Sequence, residues 1–152
     1  MIARRTERDV ARVSTYLNFD GNAEEAFAFY ATTFGTELQG PMMRFGDVPE
    51  APGQPPLAPD ERSKVMHAEL PILGGHVLMA TDVLMSMGQT LRIGNNSTLN
   101  LEPDSRAEAD ELYRALSEGG ADSEPMRAMP WGAYWGCTLD RFGVRWMINV
   151  MD

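Results

Sequence analysis

Two stretches of this 152-residue chain read as one unit written twice, and that duplication restricts the possible folds more than any other feature. Residues 16–43 are YLNFDGNAEEAFAFYATTFGTELQGPMM, and residues 98–126 are TLNLEPDSRAEADELYRALSEGGADSEPM. Leu17 and Asn18 match Leu99 and Asn100 at an offset of 82. Glu25, Ala26 and Tyr30 match Glu108, Ala109 and Tyr113 at 83, and Pro41 and Met42 match Pro125 and Met126 at 84. Strand, helix and following strand therefore stay in phase.

Each unit opens on a short strand, near residues 14–19 and 97–102. In the first, Asn22 suits a helix N-cap, with Glu25 three residues on completing a capping-box pattern. Ala23, Ala26, Phe27, Tyr30 and Phe34 form one apolar helical stripe, and Gly35 is placed to end it. The second helix starts at Asp104 or Ser105, carries its stripe on Ala109, Leu112 and Leu116, and stops at Gly119 and Gly120. Three strand-like runs follow each helix: residues 37–45, 64–70 and 76–81, then 123–129, 132–139 and 144–150. Gly74 with Gly75, and Phe142 with Gly143, mark the turns between the last two strands of each half.

The stretch 46–63 contains Pro49, Pro52, Pro55, Pro56 and Pro59, so it is an exposed loop, either a lid over a pocket or a plain connection. The pattern predicts an α+β fold of paired βαβββ modules forming a curved mixed sheet. Helices cover one face, and the free faces enclose a concave pocket for a small-molecule ligand. One domain spans residues 13–150, with half-repeats at about 13–82 and 97–150, preceded by an extension over residues 1–12.

A formal net charge of −9 makes nucleic acid and anionic membrane surfaces poor partners. No apolar run approaches the ~20 residues of a membrane span, and no signal core follows Arg4, Arg5, Arg8 and Arg12, so a cytoplasmic protein is expected. Cys137 is the single cysteine and forms no internal disulfide; it is either a buried inert thiol or a nucleophile whose base arrives through the fold.

Three blocks carry a resemblance: LNFDGNAEEAFAFYATTFG, VMHAELPILGGHVLMATD and WGAYWGCTLDRFGVRWMINV, the closing DRFGVRW being the most specific. In this order they resemble the PhnB-like branch of the vicinal oxygen chelate superfamily, which also holds glyoxalases, bleomycin-resistance proteins and dioxygenases. The resemblance implies paired modules, often a homodimer, and a ligand pocket, but no single reaction. The branch's methyltransferase label finds no glycine-rich methyl-donor site in this chain.

Metal-using relatives place His or Glu on the opening strand of each module and on a closing strand. The matching positions here are Ser14, Ser97 or Thr98, and Met147, which do not form a hard-cation site, so no metal cofactor is expected there. The alternative is a divalent metal at a relocated site of His67, Glu69 and His76, giving a lyase or dioxygenase of glyoxalase type. In MHAEL, positions 67 and 69 share a strand face, while His76 depends on the register of the next strand. Two metal-free readings stand beside it: a catalytic pair, with His67 as general base and Glu69 orienting it, or a hydrogen-bonded structural pair.

Tyr16, Asn18 and Asn100 are candidate pocket residues. Trp131, Tyr134, Trp135 and Trp146 suit stacking on a flat organic ligand, or packing in a core or dimer interface. Asp82 reads as a pocket acid or a strand end, and Arg141 and Arg145 as anion holders or surface charges.

Overall fold

The computed structural model describes residues 11–151, so the first ten residues of the expected extension lie outside the described residues. The chain runs β1 (Thr15–Phe19), α1 (Ala23–Phe34), β2 (Met43–Arg44), β3 (Val65–Pro71) and β4 (Val77–Asp82), then β5 (Leu99–Leu101), α2 (Arg106–Ser117), β6 (Ala121–Ala128), β7 (Ala133–Leu139) and β8 (Arg145–Met151). This is βαβββ twice. Each module builds its own four-stranded mixed sheet, ordered β1-β4-β3-β2 and β5-β8-β7-β6, with the opening strand parallel to the closing one. No helix among the described residues is long and apolar enough to cross a membrane.

The helix stripes bury as their spacing predicts. Ala23, Ala26, Phe27 and Tyr30 of α1 and Ala109, Leu112 and Leu116 of α2 are buried. Gly35 ends α1 in the left-handed conformation at φ 65°, where a side chain is disfavoured. Ser105 caps α2, its hydroxyl accepting from the Glu108 N–H at 3.1 Å. The cap of α1 differs from the expectation: the Asn22 side chain makes no cap bond. Asp82, arriving at the end of β4, accepts from the Ala23 N–H at 3.0 Å and from the Val65 N–H at 2.9 Å. A carboxylate from a neighbouring strand satisfies the helix start more strongly than a local amide would.

The two modules share one core. Tyr30 and Phe34 of α1 stack against Trp146 of β8, at ring-centroid distances of 5.5 and 5.7 Å, and Phe29 meets Phe142 at 5.7 Å. The buried Asp140 ties this seam together by accepting from the Tyr30 hydroxyl, the Trp146 indole N–H and the Phe142 and Val144 backbone N–H groups.

Two strand expectations change. Of the predicted run 37–45 only Met43 and Arg44 form a strand, because Gly40 at φ 73° and Pro41 break the ladder. The repeat also registers differently. The hairpin bonds Ile72 N–H to His76 O and Asp140 N–H to Val144 O place the β3–β4 and β7–β8 turns 68 residues apart. Leu17 lies opposite Ala80 in the first module, and Leu101 opposite Ile148 in the second. Tyr16 therefore corresponds to Asn100, and Asn18 to Glu102. The fall in offset from 84 to 68 locates an insertion of about sixteen residues between β2 and β3, which is the proline-rich loop.

Candidate functional site

Helices cover one face of each sheet, and strand alternation assigns the other. In the first module Tyr16 pairs with Met79 and Met79 with Glu69, so Tyr16, Asn18, His67, Glu69, Met79 and Thr81 share the open face. In the second, Asn100 pairs with Met147, Met147 with Cys137, and Asn149 with Trp135, giving the corresponding open face. Tyr16, Asn18, Asn100 and Trp135 are thus placed where a ligand could reach them.

His67 and Glu69 come together. Nε2 of His67 lies 3.1 Å from Oε1 of Glu69, the side chains being 34% and 27% exposed, and the Tyr16 ring stands 6.4 Å from the imidazole. Donation from Nε2–H to the carboxylate leaves the lone pair on Nδ1, which is the arrangement a general base requires. His76 does not join them. It precedes β4 at an even position, on the parity of the helix-facing Leu78, and its Nε2 bonds the Thr15 hydroxyl at 2.8 Å. The three-ligand alternative is corrected accordingly: among the described residues no group of three or more His, Cys, Asp or Glu side chains could hold a metal ion.

The donors at the positions where the resemblance implies metal ligands do not fit a hard cation either. The Ser14 hydroxyl approaches the Met79 sulfur at 3.9 Å, and Met147 lies between Asn100 and Cys137. Hydroxyls and thioethers lack the charge and basicity such an ion needs.

The aromatic candidates divide. Trp146 is fully buried on the helix-covered face, so its expected place in the pocket is corrected to the core. Tyr134 also faces the helix, its hydroxyl donating to Asp110 of α2 at 2.6 Å under the Arg106 guanidinium. That hydrogen bond raises the Tyr134 phenol above its ordinary value. Trp135 is half-buried on the open face with Arg127 against its ring, and Trp131 stands exposed in the β6–β7 turn. Alternation in RWMINV was the signal: Trp146, Ile148 and Val150 fall on one side and Met147 and Asn149 on the other.

Two clefts meet at Tyr16, and a third adjoins one of them. One of about 550 Å³ separates the modules, with Ser14, Tyr16 and Asn18 facing Ser97, Thr98 and Arg145. A second, about 750 Å³, is lined by Tyr16, Asn18, Phe45, Met66, Thr81 and Arg92. It shares Phe45, Met66 and Gln89 with a third of about 470 Å³ under the proline-rich loop. His67 and Glu69 line none of the three and sit beside them on the open sheet.

Met66 and Arg92 carry no sequence signal for these clefts. Met43 pairs with His67 but Arg44 with Val65, so Met66 is a bulged residue without a partner, and bulges re-aim side chains beside sites. Arg92 lies in the segment joining the halves, GQTLRIGNNS, which carries no periodicity.

Residues 11–149 match the family described as 3-demethylubiquinone-9 3-methyltransferase. Protein YjdN of Escherichia coli (strain K12) is 30% identical over 144 residues, covering 91% of this chain and 95% of that one. Protein PA1353 from Pseudomonas aeruginosa is 36% identical, with a TM-score of 0.77 over 93% of this chain and 98% of its own. The PhnB protein from Bacillus cereus shares the fold at a TM-score of 0.71 and 24% identity, over 92% and 99% of the two chains.

Proposed function

The chain belongs to this PhnB-like family, with the glyoxalase/bleomycin-resistance fold, and on that premise we propose that it binds a small organic molecule in the clefts around Tyr16 and Asn18, without a metal at the fold's usual position. The observation that carries the reading is the convergence on Tyr16: two clefts meet at this half-exposed ring, which stands 6.4 Å from an imidazole held by Glu69. His67, oriented by Glu69, supplies acid–base chemistry to what binds there. On the same reading the chain pairs as a homodimer, a second copy covering open faces that carry Met79, Trp135 and Met147.

A thermal-shift screen of aromatic and thiol compounds on untagged protein tests the proposal. A saturable ligand raises the melting temperature by mass action, and Tyr16→Ala abolishes the shift without lowering the unliganded melting temperature. No hit across the library sinks the binding reading. Stoichiometric divalent metal that is lost in His67→Ala sinks its metal-free part.

A further inference from the structure

The insertion after β2 exists in the first module only, and it changes the chemistry of one end of the clefts. Val48, Pro49, Pro55 and Leu57 of the loop face Leu84 and Met87 across a chamber that the bulged Met66 enters from β3. Glu61 pins the loop in place, one carboxylate oxygen accepting from the Ala58 N–H at 2.9 Å and the other from the Ser86 N–H at 3.4 Å. Through Phe45, Met66 and Gln89 this apolar chamber opens into the cleft that ends at Arg92.

The charge runs against the rest of the protein. In a chain of net charge −9, the cleft between the modules is lined by two arginines and no carboxylate. Arg145 is engaged, with Asp122 at 3.0 Å and the Gly94 carbonyl at 3.1 Å. Arg92 makes no hydrogen bond or ion pair among the described residues, and it lines both this cleft and the next. Two carboxylates face the connected space. Asp82 has its oxygens committed to the Ala23 and Val65 N–H groups, and Glu50 sits in the loop chamber, away from Arg92.

We propose that the connected clefts select an organic acid with an apolar body: the anionic group pairs with Arg92, and the body lies along Met66 and Phe45 into the chamber under the 46–63 loop. Apolar walls with one convergent charge are the usual form of such a site. The proposal rests on the small-molecule reading above and adds the ligand's class to it.

A matched pair of fluorescent probes tests it: 8-anilinonaphthalene-1-sulfonate, and N-phenyl-1-naphthylamine, which has the same aromatic body without the sulfonate. The sulfonate is expected to bind saturably and about tenfold more tightly than the neutral amine, the worth of one charged hydrogen bond, and to weaken with added salt. Arg92→Gln, at an exposed position, removes that preference and leaves the amine's affinity unchanged. Leu57→Asp weakens both probes, with the fold checked by circular dichroism. Equal affinity for the two probes, or a preference that survives Arg92→Gln, overturns the organic-acid proposal while leaving small-molecule binding in place. If neither probe binds but the wider library yields a ligand, the proposal alone fails. If nothing binds at all, both readings fail together.

Discussion

The two modules share a topology and part company as chemistry. Positions 68 residues apart put His67 and Glu69 of β3 against Trp135 and Cys137 of β7, and Ile72 against Asp140 at the hairpins. Positions 83 apart put Tyr30 against Tyr113 on the helices. The first module holds a hydrogen-bonded His67–Glu69 pair and a long loop on its open side; the second holds a buried carboxylate at the seam. Duplication kept what hydrogen bonding and strand alternation enforce, while the positions free of those demands diverged.

The seam gives the largest expected effect. Asp140→Ala strips four donors of their acceptor, two of them side chains in the core, and is expected to cost about 3–5 kcal/mol. Ile72, the counterpart, faces no such set of donors. Urea unfolding measures the loss; a cost below about 1 kcal/mol would show that the asymmetry has no energetic weight.

A single methyl probes the next difference. Ala68 lies in the core on the helix-facing side of β3, beside a β2 that pairs with β3 only at His67 and Val65. Its counterpart Gly136 lies against the full-length β6, and a Cβ there would meet the Met126 sulfur at 2.6 Å and the Glu124 carbonyl at 3.0 Å. Gly136→Ala is expected to destabilise by about 1–3 kcal/mol through overpacking against backbone. A neutral result would mean that β6 shifts as freely as the loop that replaces it in the first module.

Titration of Tyr30 reads the seam from the side of α1. Burial, and then the negative charge of Asp140, push the Tyr30 phenol far above its ordinary value of 10.0. A folded value above the unfolded one stabilises fully below about pH 10, and the benefit declines as pH rises beyond it, by up to ~1.4 kcal/mol per pH unit. Tyr30→Phe is therefore expected to cost about 1 kcal/mol at neutral pH and to flatten the alkaline fall in stability. Unfolding midpoints at neutral pH and above pH 10 measure both effects; an alkaline fall as steep in Tyr30→Phe as in the parent would sink the assignment.

Much of the frame was legible. Helix stripes, the Ser105 cap, the Gly35 stop and both hairpins follow from local rules that act on neighbouring residues. The strand match at 82 was misleading because Leu-Asn recurs in a pattern of period two, where a slip of two residues keeps every face and changes only the partners. Trp146 was assigned by residue type, whereas its own strand's alternation points inward. Met66 and Arg92 were not legible at all. The first depends on a bulge set by cross-strand pairing, and the second on where a connection without periodicity comes to rest.

The smallest expected effect concerns the candidate chemistry itself. His67 and Glu69 lie 3.1 Å apart and are both partly exposed, so solvent screens their attraction. A double-mutant cycle with His67→Ala and Glu69→Ala should return a coupling of about 0.2–1 kcal/mol in unfolding free energy. The same cycle at Trp135 and Cys137, which share no hydrogen bond, should return a value near zero. A coupling above about 2 kcal/mol at His67–Glu69 would mark the pair as part of the fold's support, and the acid–base role would lose its ground. A weak coupling, together with loss of ligand-dependent activity in either single variant, would mean that this module keeps a His–Glu pair its fold does not need. The pair's place beside Tyr16 is then explained by what binds there.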